Sequence, residues 1–217
     1  MKKKRLNLNV VLVEPNGPIN VGSIARLCSN FEVNELRIVS PQCDIFSLEA
    51  RKMALKGQSY IDNCKIFNNI EQAISDCNLV LATCGRIDLS NDIECESPED
   101  ISKWISSFVE INNLGILFGR EDRGLSNNEL LFAHKIINIK TSQNYPSLNL
   151  SHAVSIILYE LNKSSTNFVE INNLGILFGR EDRGLSNNEL LFAHKILNIK
   201  TSQNYPSLNL SLSLIHI

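Results

Sequence analysis

The sequence predicts an α/β sandwich: a mostly parallel sheet with helices against its faces. Two observations carry this. Short apolar runs of the buried-strand type recur along the chain, and segments with helical apolar spacing alternate with them. A strand covered on both faces reads as a continuous apolar run, because neither side of its pleat meets water. The length, 217 residues, suits one domain with a full core, and a 43% hydrophobic fraction supplies the material for it.

The run from Leu8 to Val13 opens as a buried strand. Asn20 to Phe31 follows with Ile24, Leu27, Cys28 and Phe31 at helical spacing. Leu36 to Val39 is a second strand, closed by Pro41; Ser47 to Leu55 is helical, Lys65 to Phe67 extended, and Ile70 to Ser75 a short helix. Leu79 to Ala82 is again a buried strand. Ser97, Pro98 and Asp100 supply a cap, a first-turn proline and an acidic third residue, which predicts a helix running toward Val109. Leu114 to Phe118 is a strand, Ser126 to Glu129 a capping box, and Ile136 to Ile139 a further strand. Ser151 to Leu161 closes the series with Val154, Ile157, Leu158 and Leu161 on one helical face. Ligands of such sheets bind beyond the carboxyl ends of the strands, here Glu14, Thr83, Gly119 and Lys140.

Net charge is −2, so composition makes no case for nucleic acid, and the basic cluster Lys2-Lys3-Lys4-Arg5 reads as a solvated terminus. Asn7 and Asn9 interrupt the apolar stretch behind it and no small-residue cleavage site follows, which argues against a secretion signal; no segment approaches a membrane span. Six cysteines without a CxxC pair argue for a reducing cytoplasm and against a metal site.

Phe108 to Ser151 recurs as Phe168 to Ser211 with a single change, Ile137 to Leu197. Repeat architectures let sequence drift and need several units to bury a core, so a near-verbatim pair reads as a recent duplication or a joining error. The tail Leu212-Ser213-Leu214-Ile215-His216-Ile217 is encoded by CTGTCTCTTATACACATC, which resembles a sequencing-library adapter. The expectation is a functional domain over 1–165, with 166–217 a duplicate and an artefactual end rather than a second domain.

Three segments carry candidate chemistry. In the first, Pro18 to Arg26, Asn20 reads plainly as a helix cap and Gly22 as a close-packing position, whereas Arg26 lies about 200° round the helix from Ile24, away from the apolar face. In the second, Leu117 to Ser126, a buried strand leaves into a turn with Gly119, Arg120, Glu121, Asp122, Arg123 and Gly124, a composition that suits a ligand-cradling loop. The third, Tyr145 to Ser151, is a polar turn entering the last helix, where Asn149 or Ser151 serves as a cap.

Taken together, N-x-G-x-x-A-R (Asn20 to Arg26), F-G-x-E-x-x-G-L-S (Phe118 to Ser126) and S-L-N-L-S (Ser147 to Ser151) resemble, in order and spacing, the motifs of the SpoU/TrmH family of SPOUT methyltransferases. The Glu14-Pro15 opening and Ala82-Thr83-Cys84-Gly85-Arg86 resemble its TrmJ-like branch, whose members methylate the ribose of the pyrimidine at tRNA position 32. The resemblance implies a C-terminal trefoil knot, a homodimer, S-adenosylmethionine as cofactor, RNA (tRNA) as substrate, and no metal. It implies cofactor contacts at Thr83, Cys84, Gly85, Gly119, Ile139, Ser147, Leu148 and Asn149, and functional polar roles for Asn20, Arg26, Glu121, Ser147 and Asn149. Where relatives often have Ser-Ala after the threonine, this chain has Cys84-Gly85.

The reaction implied is in-line attack of a ribose 2′-oxygen on a sulfonium methyl group, and holding three atoms in line supplies much of the rate. A guanidinium has no lone pair with which to accept a proton, so Arg26 is expected to stabilise the alkoxide or grip a phosphate, and Glu121 to order its loop. Two alternatives stand beside this reading. One is an RNA-binding protein on the same fold without catalysis. The other, a nucleotide-binding enzyme, lacks both GxGxxG and GxxxxGK[ST] in this sequence.

Overall fold

The computed structural model describes residues 7–85, 94–106 and 113–163. The basic cluster 2–5, Arg86, the helix end toward Val109, the second copy with Gly179 and Asn209, and the tail lie outside the described residues.

Among the described residues, seven strands form one sheet in which every pairing is parallel: β1 (Asn7–Val13), β2 (Glu35–Val39), β3 (Lys65–Phe67), β4 (Leu79–Thr83), β5 (Cys95–Glu96), β6 (Asn113–Phe118) and β7 (Lys135–Ile137). Their order across the sheet is β3-β2-β1-β6-β4-β7-β5. The chain builds outward from β1 to β3, then crosses to β4, and β6 returns to fill the gap beside β1. That reversal makes the carboxyl ends of β1, β6 and β4 the place where loops part and a crevice opens.

The helices are α1 (Pro18–Asn30), α2 (Leu48–Ala54), α3 (Gln58–Asp62), α4 (Ile70–Ile74), α5 (Pro98–Ser106), α6 (Asn127–Leu130) and α7 (Leu150–Asn162), with a 3-10 turn at Leu55–Gly57. Alternate strand residues serve opposite faces, as the pleat requires. Val10, Leu12, Ile38, Leu81, Ile116 and Phe118 pack with Ile24 and Leu27 of α1 and Val154 and Leu158 of α7. Val11, Val13, Val39, Val80, Ala82 and Leu117 pack with Ile70 and Ala73 of α4 and Leu130 of α6. Phe118 is fully buried, and its truncation to alanine should cost about 3–5 kcal/mol.

Several boundaries depart from the sequence reading. The first helix starts at Pro18, with Gly17 as its cap, so Asn20 is a first-turn helical residue and not the cap. Proline at the first position carries no amide that would need a partner, which favours the earlier start. The strand expected over Ile136–Ile139 runs Lys135–Ile137, and its last ladder bond is the Asn138 amide donating to the Glu96 carbonyl of β5. Three short elements were not anticipated: the 3-10 turn, α3 and β5. The six cysteines are free thiols, and among the described residues no helix is long and apolar enough to cross a membrane.

Candidate active site

Glu121 is the hub of the site. It leaves β6 in the loop before α6 and reaches the start of α1, where its carboxylate accepts from the amides of Asn16 (3.0 Å) and Gly17 (2.9 Å) and from Asn20 Nδ2 (3.1 Å). Gly17 brings no side-chain cap of its own, so a carboxylate from 104 residues away answers the exposed amides and the positive end of the helix. Asn20 then passes the connection on: its Oδ1 accepts from Asn149 Nδ2 at 3.1 Å. Asn149 is in turn the cap of α7, its Oδ1 accepting from the Ser151 amide (2.9 Å) and hydroxyl (2.7 Å). One hydrogen-bonded line therefore joins the three sequence motifs.

The loop that presents Glu121 is braced by its neighbour. Arg120, 11% exposed, donates Nε to Glu14 at 2.7 Å and both terminal nitrogens to Glu129 at 2.9 Å each. A guanidinium held by two carboxylates is committed to structure rather than to a ligand. Donation from Arg120 keeps the Glu14 carboxyl below the ordinary range. Burial alone would raise Glu129, but the Arg120 fork and the Ser126 amide and hydroxyl overcome it and hold that carboxyl at about 2. Glu129 also closes the capping box with Ser126. Gly119 has a structural reason to be glycine: a Cβ there would lie 2.2 Å from the Gly124 carbonyl carbon and 2.3 Å from the Leu125 amide. Gly124 completes the turn at φ +67.

Of the expected cofactor residues, Thr83, Cys84, Gly85, Gly119 and Ile139 lie at or just beyond the carboxyl ends of β4, β6 and β7. Thr83 closes β4 and donates its hydroxyl to the Leu117 carbonyl of β6 at 3.1 Å. The Cys84 amide donates to the Ile137 carbonyl of β7, and its own carbonyl accepts from Asn138 Nδ2 at 2.8 Å. Gly85 is exposed, with open space where a Cβ would stand. Half-buried Ile139 follows β7; exposed Ser147 and half-buried Leu148 lead into Asn149. The open space at Gly85, next to the strand end that Asn138 pins through the Cys84 carbonyl, leaves room for an adenosyl group. The hold of Asn138 on the Cys84 carbonyl had no signal in the sequence, where it is a lone asparagine behind a strand.

Arg26 is half-buried on the less buried stripe of α1, which runs Asn20, Ser23, Arg26, Ser29. It stands six residues, or about 9 Å of helix axis, beyond Asn20, and helical side chains lean back toward the amino end. Among the described residues no group of three or more His, Cys, Asp or Glu could hold a metal ion.

Known proteins resemble this chain in sequence and in fold. The tRNA (cytidine-2′-O-)-methyltransferase TrmJ of Methanocaldococcus jannaschii is 40% identical over 168 residues, covering 76% of this chain and 72% of that one. The crystal structure of TrmJ from Z. mobilis ZM4 superposes with a TM-score of 0.67 at 29% identity, covering 76% of this chain and 72% of that chain. The SpoU methyltransferase AviRb from Streptomyces viridochromogenes, solved in complex with AdoMet, shares the fold at a TM-score of 0.57 and 19% identity, covering 72% of this chain and 57% of that one. The SpoU rRNA Methylase family model matches residues 7–159 and, within the second copy and its flanks, 160–215; the chain belongs to that family.

Proposed function

We propose that the protein is an S-adenosylmethionine-dependent RNA 2′-O-ribose methyltransferase acting on tRNA, at the pyrimidine of position 32 in the anticodon loop. The observation that carries this reading is the line Glu121–Asn20–Asn149, which fastens the three motifs together at the carboxyl side of the sheet. The similarity to TrmJ enzymes supports tRNA as the substrate. A homodimer working in the cytoplasm, trefoil threading of the C-terminal half, and a functional domain ending near residue 165 belong to the same proposal.

When bound, S-adenosylmethionine supplies the electrophilic methyl group. Thr83, Cys84, Gly85, Gly119, Ile139 and Leu148 would hold it through backbone groups and aliphatic contact, with Ser147 and Asn149 at its polar edge. Arg26 stabilises negative charge on the ribose 2′-oxygen as the proton leaves to phosphate or water; a guanidinium donates but does not accept. Glu121 and Asn20 act on position, since both are occupied in holding α1 to the loops. Purified protein, unmodified tRNA and labelled cofactor test the proposal. A 2′-O-methylated pyrimidine nucleoside in the digest is the expected product, and label confined to a base, or cofactor binding without any transfer, would overturn it.

A further inference from the structure

The segment after α2 presses on α1 directly behind Arg26. A Cβ on buried Gly57 would stand 2.6 Å from the Ala25 carbonyl oxygen and 2.8 Å from Arg26 Cα. Both are backbone atoms of a helix, which cannot step aside as the end of a side chain can. Gly57 itself has φ −79 and ψ 7, a conformation open to other residues, so the close approach, and not the backbone angle, requires glycine here.

A second, independent feature lies two residues earlier. Leu55 turns the chain out of α2 at φ 48 and ψ −118, a region that residues with a Cβ rarely enter. Its side chain is 48% exposed, so burying leucine is not what holds it there. Backbone strain of this kind persists where surrounding structure imposes it. The bend is pinned from outside by Gln58 Nε2 donating to the Arg51 carbonyl at 3.1 Å, and by Tyr60 donating to the Val33 carbonyl at 2.5 Å. The strained turn thus delivers a residue without a side chain against the one helical turn that carries Arg26.

We infer that Gly57 is a positioning residue for methyl transfer: the Leu55–Gly57 turn is a backstop that fixes the Arg26 backbone, and through it the place of the guanidinium. This rests on the reading of Arg26 given above. A Cβ at 57 must move Ala25 and Arg26 by a few tenths of an ångström to an ångström, and displacement on that scale costs up to about 100-fold in rate where geometry limits the reaction.

The test is a set of kinetic comparisons on the full chain. Gly57→Ala should lower kcat on tRNA by about 10- to 100-fold while the cofactor Kd changes by less than about threefold. Gly115→Ala is the control for a tight glycine far from the site; its Cβ would meet Cys77 Sγ at 2.9 Å near the amino ends of the strands, and it should lose stability but keep kcat. In an Arg26→Lys background, Gly57→Ala should change kcat by less than about threefold, because the group it positions is already gone. If Gly57→Ala does not fold, Gln58→Ala loosens the same turn from the surface and should lower kcat several-fold, again only with Arg26 present. An unchanged kcat in the folded variant, an equal loss in the Arg26→Lys background, or an equal loss from Gly115→Ala would each overturn the inference. Absence of transfer by the wild-type protein would instead overturn the function proposed above, and full activity of Arg26→Lys would overturn the role of Arg26.

Discussion

Replacing Glu121 by alanine removes the carboxylate that answers the amides at the start of α1. Three donors lose their partner: two backbone N–H groups at 3.0 and 2.9 Å and the Asn20 amide at 3.1 Å. A hydrogen bond to a charged acceptor contributes about 1.5–3 kcal/mol, and the favourable end of the helix dipole about another 0.5 kcal/mol. The three bonds share one group and water reaches the half-buried site, so they do not add in full; about 2–4 kcal/mol is the expected loss. For a domain of this size that is a fall in Tm of about 5–12 °C. Glu121→Gln keeps one acceptor but turns an NH2 toward a backbone N–H, so about half the loss is expected. Urea titration and melting curves measure the stability, and methyl transfer on tRNA measures the consequence for Asn20 and Asn149. A Glu121→Ala protein that melts with the wild type yet loses turnover would show that Glu121 acts in the chemistry and that the capping role is wrong.

Acid titration tests the Arg120 brace. Glu129 is held from an ordinary 4.5 down to about 2, so its contribution is complete above pH 4.5 and is lost as pH falls through about 2. That shift corresponds to on the order of 3 kcal/mol, and Arg120→Met should flatten the wild-type fall in stability across this window. Arg26→Ala should abolish transfer while cofactor affinity by calorimetry stays near wild type, and Arg26→Lys should rescue poorly for want of the planar fork; near-normal turnover of Arg26→Ala refutes its role. Truncation after Thr166 should leave cofactor binding intact, Asn149→Ala should destroy it and Asn209→Ala should not. The reverse pattern in the two asparagine variants would assign the site to the second copy.

Much of the sheet was legible because its central strands are covered on both faces: Val10, Leu12, Leu81, Ile116 and Phe118 lie in unbroken apolar runs. The elements that escaped notice have too little sequence to carry a period. Helix α3 is five residues and β5 is two, and β5 exists because β7 offers it an edge. The start of α1 was misplaced for a related reason. Asn20 has the composition of a cap, but its amide is taken up by Glu121, 101 residues on, and no local pattern announces that. Likewise the charges of the Gly119–Gly124 loop were visible as a cluster, while their division of labour was not. Arg120 is occupied by Glu14 and Glu129, partners 106 and 9 residues distant. The motifs marked three segments; the line Glu121–Asn20–Asn149 that joins them is a product of tertiary structure alone.

Mass mapping of tRNA from cells lacking the gene, and from the same cells carrying it, decides whether the protein methylates the ribose at position 32. A 2′-O-methyl group on that pyrimidine should disappear in the first and return in the second. With Arg26→Ala it should not return. An unchanged ribose at position 32, with a methyl lost from a base or from no tRNA nucleotide at all, would contradict the proposed function.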